Sequence, residues 1–399
     1  MSGKQSGKIK TCSSKLKLHN LSLKYEVKKV KKSVILIIIL LVLGFNNHAT
    51  ANSFVTAKSA VLIDAETGQV LYSKNSYQPL PPASTTKIMT GILAIENGNL
   101  TNQVTASKQA AYEGGSSIYL TPGEKLTLEE LIYGLLIKSG NDAAVAIAEH
   151  IGGTVDHFAA MMNFKAKQIG ALNTNFQNPN GLPQEGHLTT AYDLAQITRY
   201  ALTNNFFARV VATTKKRISW PQHSWDRILK NTNKLLTRCD FVTGVKTGYT
   251  RAAGRCLVAS AQKGNRKLIS VVLKSNQMWE DSLKLLNYGF DNFTKENIIN
   301  KGEILAQVEI TNQIINLKAA EGFSRIIPKG GATKLNKKLK YKDKLRLPVL
   351  KDEKIGVVSF YNQNNKLIKT IDLVAEQRIE LATGSQLWQK ILTAIQTYF

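Results

Sequence analysis

A β-hairpin signal near the start of the chain and a β-meander signal far downstream, separated by helical segments, restrict the fold more than any other feature. Ser59-Ala-Val-Leu-Ile-Asp64 and Gln69-Val-Leu-Tyr72 flank the turn Ala65-Glu-Thr-Gly68, the pattern of two strands around a glycine turn. An apolar-periodic run then opens at Ser84 after Pro81-Pro82 and stops at Asn97-Gly98, which predicts a helix beginning at Ser84. Thr127-Leu-Glu-Glu130 reads as a capping box before a second helix. That helix ends at Ser139-Gly140-Asn141, with glycine expected as its C-cap and asparagine as the N-cap of the next. Another helix follows His187. Strand signals return over Phe241–Thr250, Arg255–Ala261 and Leu268–Leu273, joined by short links. Hairpin, helices and meander together predict one mixed α/β (α+β) domain, an antiparallel sheet flanked by helices.

The 399 residues, 43% of them hydrophobic, have room for about two domains. Composition shifts around residues 292–300, and Lys301–Glu380 carries short strand-like segments (304–310, 313–318, 355–361, 367–373) without a helical pattern. A small all-β domain is expected there. In the last segment, Leu387, Trp388, Ile391, Leu392 and Ile395 form one apolar helical face. An amphipathic helix over 385–399, lying on a membrane surface, is the expectation.

At the other end, ten lysines against Glu26 precede the uncharged run Val34–Phe45, and Ala49-Thr50-Ala51 follows. These are the three parts of a secretory signal peptide, with cleavage expected after residue 51. The remainder keeps 43 Lys and Arg against 27 Asp and Glu. A basic exported protein fits anionic cell-wall polymer or lipid headgroups, and the export signal argues against nucleic acid. Of the three cysteines, Cys12 leaves with the leader. Cys239 and Cys256 remain where a disulfide is possible, two buried thiols being the expectation and a bridge the alternative. No His, Cys, Asp or Glu cluster has metal-ligand spacing, so neither metal nor cofactor is expected.

Three short motifs occur in order: Ser84-x-x-Lys87, Ser139-Gly-Asn141 and Lys246-Thr-Gly248. Positions i and i+3 share a helix face, so the Ser84 hydroxyl and Lys87 amine can meet. The joint set resembles the penicillin-binding and serine β-lactamase group. The S-G-N form resembles the D-alanyl-D-alanine carboxypeptidases, the low-molecular-mass penicillin-binding proteins. So do PPASTTKIMT, NPNGLP, NTNKLL, GVKTGYTRAAGRCLVASA and LLNYGF. The resemblance covers about residues 55–293 closely. It implies a peptidase domain over 52–293, a β-domain over 294–384 and the anchoring helix after it.

Acyl transfer needs a nucleophile, a base, a proton relay and an oxyanion site. Ser84 is the expected nucleophile. Lys87 can be its base only with a lowered pKa, and burial plus a nearby cation, Lys246, would lower it. Ser139 is expected to pass a proton from Lys87 to the departing amine. Asn141 would hold the substrate's peptide carbonyl, and Lys246 and Thr247 the terminal carboxylate. Gly248 would let substrate lie close to its strand. The resemblance implies the backbone N–H groups of Ser84 and Tyr249 as oxyanion hole. The implied substrates are peptidoglycan stem peptides, with β-lactam antibiotics as traps, on the outer, periplasmic face of the cytoplasmic membrane. Relatives often carry arginine where this chain has Met278, which leaves carboxylate binding to Lys246 and Thr247, or to Arg251 or Arg255. A β-lactamase is the alternative, yet Glu185 lacks the context of a deacylating glutamate. A D,D-endopeptidase would use the same site. A non-enzymatic wall-binding module would not need intact S-x-x-K and K-T-G.

Overall fold

The computed structural model describes residues 54–380 apart from 311, 312, 332, 333, 343, 344 and 346. The expected signal peptide and the expected C-terminal amphipathic helix lie outside these residues. The chain opens with strands β1 (Ser59–Asp64) and β2 (Val70–Lys74), then helix α1 (Lys87–Asn97). A small ribbon, β3 (Gln103–Thr105) with β4 (Lys125–Thr127), brackets the short α2 (Lys108–Ala111). Helices α3 (Leu128–Tyr133), α4 (Asn141–Gly152), α5 (Val155–Ile169), α6 (Ala191–Ala201) and α7 (Asn205–Ala212) follow. A hairpin of β5 (Lys215–Ile218) and β6 (Arg227–Lys230) precedes the long strands β7 (Val242–Thr250), β8 (Gly254–Lys263) and β9 (Arg266–Ser275). Helix α8 (Met278–Asn292) ends the layer.

The expected meander is present, and its last strand pairs with the first of the chain. The antiparallel sheet runs β2-β1-β9-β8-β7, with Leu62 opposite Ser270 and Lys246 opposite Val258. All six residues of β1 are buried, because both faces are covered. Side chains alternate across a strand, and here the alternation divides two cores. Val61 and Ile63 join the helical core with Ile88, Ile92, Val145, Leu194 and Ile269. Ala60 and Leu62 join Leu285, Leu286 and Phe290 of α8 on the other face. The Ala-rich α4 is buried along Asn141–Ala148, as a helix at the centre of a bundle must be. Thr127 caps α3 through Glu130 N, and the Glu130 side chain returns to Thr127 N, the capping box expected from sequence.

Strand segments fill the region after residue 292, as expected, but more of them than the sequence indicated. A ribbon of β10 (Phe293–Ile299) with β13 (Phe323–Pro328) accompanies a five-stranded sheet ordered β11-β12-β16-β15-β14. Its strands are β11 (Ile304–Ile310), β12 (Gln313–Ala319), β14 (Asn336–Tyr341), β15 (Lys354–Tyr361) and β16 (Leu367–Ala375). Ile315, Leu317, Ile355, Val358, Ile371 and Leu373 form its separate core. The Gln69 side-chain amide joins the two parts, donating to Ile326 O at 2.6 Å and accepting from Ile326 N at 3.2 Å. Lys295 pairs with Glu66 alongside at 2.7 Å.

Candidate active site

Ser84 does not start an α-helix. It lies in a 3₁₀ turn, Ala83–Thr86, and Lys87 is the first residue of α1. Two observations account for the tighter turn. Thr85 turns both its N–H and its hydroxyl onto Pro82 O, at 3.3 and 2.6 Å. Ala83 takes a left-handed φ of 50°, a conformation costly for a residue with a Cβ and concentrated at functional sites. Residues three apart eclipse in a 3₁₀ turn, so the corrected geometry aligns Ser84 with Lys87 at least as well. Lys87 Nζ donates to Ser84 Oγ at 3.0 Å.

The lysine is buried completely. Its Nζ also donates to Asn141 Oδ1 and to Asn180 O, each at 2.6 Å. Burial first and the Lys246 charge second hold its pKa well below the usual lysine value, against a smaller opposing pull from Asp142 and Glu113. Lys246 is almost fully buried as well, and burial brings it down to about 7.

The Ser139–Asn141 turn also differs from the expected caps. A π turn over Gly134–Lys138 leads into it, and Ser139 itself holds the left-handed position with φ 69°. Gly140 precedes the helix as its N-cap, and Asn141 is the first helical residue. Asn141 therefore points its amide into the cleft, with Oδ1 on Lys87 and Nδ2 on Gly114 O at 2.5 Å. The expected partner of Ser139 was Lys87, but the hydrogen bond observed comes from Lys246 Nζ, at 2.9 Å. Lys246 Nζ donates to Thr247 O too, and Thr247 Oγ1 shares a 2.8 Å bond with Thr232 Oγ1. Gly248 is close-packed: a Cβ there would lie 3.1 Å from Ser84 N and from Pro82 O. Its lack of a side chain lets β7 lie against the Ser84 turn, a reason the sequence did not suggest. Tyr249 follows, exposed at the rim.

One wall escaped sequence reasoning. Asn178–Pro183 entered the sequence reading only as a stretch of family resemblance with no role attached, yet it supplies the Asn180 carbonyl on Lys87 and accepts Thr90 Oγ1 at Pro179 O. Gly181 (φ 85°) presses on the Ser84 turn so closely that a Cβ would come within 1.9 Å of Ala83 O. His187 backs the turn from behind. Gln177 N donates to its Nδ1, so Nε2 carries the hydrogen toward Thr86 Oγ1 at 2.9 Å. Burial brings its pKa to about 4, which keeps it neutral. A further carboxylate, Asp142, accepts from Ile118 N, Leu120 N and Ser117 Oγ, shaping the wall opposite β7.

Glu185 is exposed beside this loop, whereas the partners of Lys87 Nζ are Ser84, Asn141 and Asn180. Met278 opens α8 and packs on the core of the sheet's other face, among apolar neighbours. Arg255 directs Nη1 to Asn276 O, and Arg251 is exposed. Cys239 and Cys256 are both free thiols, and burial raises Cys256 to about 11. Among the described residues no three His, Cys, Asp or Glu side chains gather to hold a metal ion.

Residues 46–277 match the family model for D-alanyl-D-alanine carboxypeptidase (Peptidase_S11). The chain belongs to this family. Residues 293–381 match a second model, the penicillin-binding protein 5 C-terminal domain. Within the carboxypeptidase family, DacF of Bacillus subtilis is 39% identical over 316 residues, 76% of this chain and 80% of the relative. DacC of Escherichia coli is 33% identical, over 82% of this chain and 85% of the relative. The crystal structure of penicillin binding protein 5 from Haemophilus influenzae superposes with a TM-score of 0.70 at 29% identity. It covers 82% of this chain and 98% of that one.

Proposed function

We propose that the cleft removes the terminal D-alanine of peptidoglycan stem peptides through an acyl-serine intermediate, and that β-lactams trap the same serine. The 3.0 Å contact between Ser84 Oγ and a buried lysine depressed by a second lysine carries the reading. Neutral Lys87 Nζ takes the Ser84 proton as Oγ attacks the carbonyl of the penultimate D-alanine. The tetrahedral oxyanion is held by the N–H groups of Ser84 and Tyr249; one such donor is typically worth about 10²–10³ in rate. As the C–N bond breaks, the proton held by Lys87 passes through Ser139 to the departing amine of D-alanine, which leaves Lys87 neutral again. Water then attacks the ester, Lys87 again taking a proton, and releases the shortened peptide and Ser84.

Lys246 holds the charge that receives the D-alanine carboxylate, assisted by Thr247. An anion beside it favours its protonated form. The Lys246–Ser139 hydrogen bond supports a Ser139 hydroxyl held in position for that relay. Asn141 would exchange its Gly114 partner for the substrate's carbonyl.

Residues 52–293 are read as the catalytic domain and 294–384 as its β-domain, with 1–51 cleaved on export and 385–399 lying on the outer face of the cytoplasmic membrane. The apolar face of that tail supports the last point; each covered side chain is worth about 1.5–3 kcal/mol before ordering costs. Incubation with diacetyl-Lys-D-Ala-D-Ala should release D-alanine, and fluorescent penicillin should label Ser84. A folded enzyme that does neither overturns the reading. Truncation after Thr383 should move active enzyme from the membrane to the soluble fraction.

A further inference from the structure

The β5–β6 hairpin carries a feature that the peptide chemistry leaves unused. Its connection, residues 219–226, sets three rings side by side, tilted to one another by 56° and 37°. Trp220 and His223 have centroids 4.1 Å apart, and His223 and Trp225 5.0 Å. Trp225 is 61% exposed at the end of the row. A tryptophan offers 150–250 Å² for burial, roughly, and a solvated row of such rings marks a surface built to be covered.

The row is held rigidly. Arg227 lies 4.8 Å from the Trp220 ring centroid and pairs with Glu124 at 2.6 and 2.9 Å. The side chains of that ion pair are 4% and 0% exposed. Arg227 also donates to Tyr119 O and Ser219 O, and Ser219 N and Oγ donate to Glu130 Oε1. The inner ring, Trp220, thus rests on a buried charge pair, and His223 and Trp225 follow from it through ring contacts, which lowers the ordering cost of binding.

We propose that this aromatic row stacks on the sugar rings of the glycan strand from which the stem peptide hangs. The proposal rests on the carboxypeptidase reading and extends it to the carbohydrate part of the substrate. A pyranose presents a face of polarised C–H bonds, matched to the electron-rich face of an aromatic ring, and a rim of hydroxyl and N-acetyl groups. Exposed Gln222, Ser224 and Asp226 alternate with the rings and supply partners for that rim. A tip meant to sink into lipid would place apolar residues there.

The row is continuous with the cleft on two sides. Tyr119, which takes Arg227, follows Ser116, whose carbonyl accepts from Asn141 N at 2.6 Å. Beyond β6, Thr232 meets Thr247. The roughly seven residues from Trp225 to Thr232 span about 23 Å when extended. An extended pentapeptide reaches about 17 Å. The chain length thus limits the separation of Trp225 from Thr232 to a span of the same order as the reach of the stem peptide, as the proposal requires.

The test compares wild type, Trp225→Ala and Trp225→Tyr on a glycan-linked pentapeptide and on the same pentapeptide free. Trp225→Ala should raise KM for the glycan-linked substrate about tenfold, a difference of about 1.4 kcal/mol, leave kcat unchanged, and leave the free peptide unaffected. Trp225→Tyr should keep most of the wild-type KM. Equal effects on both substrates, or no effect on either, overturn the proposal. If wild type cleaves neither substrate, it is the carboxypeptidase reading that fails. A tryptophan-fluorescence titration with tetra-N-acetylchitotetraose decides the sugar site separately: saturable quenching lost in Trp225→Ala upholds it, and no response overturns it. Binding to anionic phospholipid vesicles that depends on Trp225, without a sugar response, would assign the row to the membrane and also overturn it.

Discussion

Lysines in the cleft and lysines in the β-domain have opposite surroundings. Lys87 and Lys246 are buried, and among the described residues neither has a carboxylate within ion-pair distance. In the β-domain, Lys318, Lys354 and Lys369 are solvated and pair with Asp352, Asp372 and Glu321 at 2.8, 2.7 and 2.8 Å. Exposed pairs of this kind are worth about 0–1 kcal/mol each. The two buried cations have the larger energetic weight, with the opposite sign. Their burial destabilises the charged form, and that penalty is what makes a lysine able to accept a proton near neutral pH. The ordinary location of the charge serves solubility, and the costly location is the one the proposed acyl transfer requires.

The most severe way to test the contrast is at the nucleophile. Ser84→Ala should abolish labelling by fluorescent penicillin while the protein remains folded by circular dichroism. Lys87→Arg keeps the charge but cannot be deprotonated in this range, so acylation should fall about 10²–10⁴-fold. Retention of most of the rate, followed by stopped-flow acylation, would make Lys87 a structural cation. Gly181→Ala should come next. Its Cβ would collide with Ala83 O, so acylation should drop about 10²-fold, with a loss of roughly 1–3 kcal/mol in urea unfolding.

Lys246 gives the pH dependence. Its amine titrates at about 7 in the folded protein, against 10.5 for an unperturbed lysine such as the unfolded chain presents. Between those values the unfolded chain binds more protons, so stability rises with pH from about 7 to 10.5, and the penalty is complete below 7. Lys246→Met should therefore lose activity and yet unfold about 1 kcal/mol or more harder at pH 6, the gain shrinking by pH 10. A variant less stable at pH 6 would show that the Ser139 and Thr247 hydrogen bonds outweigh desolvation. The smallest effect belongs to the other region: Lys354→Gln should change urea stability by less than about 0.5 kcal/mol and leave acylation unchanged.

The parts legible in the sequence were those governed by neighbours a few residues apart. Ser84 with Lys87, the Thr127 capping box and the alternating strands β7 to β9 all follow from local spacing. Long-range packing decided the rest. Ala83 is left-handed because Gly181, Gly248 and the Thr85–Pro82 contacts enclose its turn. Ser139 holds the left-handed position because a π turn delivers the chain one step out of helical register. The Lys246–Ser139 bond joins residues 107 apart, and no periodicity announces it. Strands β10, β13 and β14 were missed for a related reason. β14 is almost wholly exposed, so Asn336-Lys-Lys-Leu-Lys-Tyr341 lacks the apolar alternation that marks a half-buried strand.

The closure of the sheet by its first strand has a consequence for how the chain comes into being. β1 lies between β2 and β9, and Thr56 N is held by Asp281, 225 positions later. At a synthesis rate of roughly 5–20 residues per second, β1 waits about 10–45 s for its partner to exist. Through that interval β1 has only the β2 side of its sheet, and β7 is not yet there to enclose the Ser84 turn. Loop closure over such a distance also places this domain among slow folders. The nascent chain thus lacks the complete cleft until almost all of the peptidase domain has emerged.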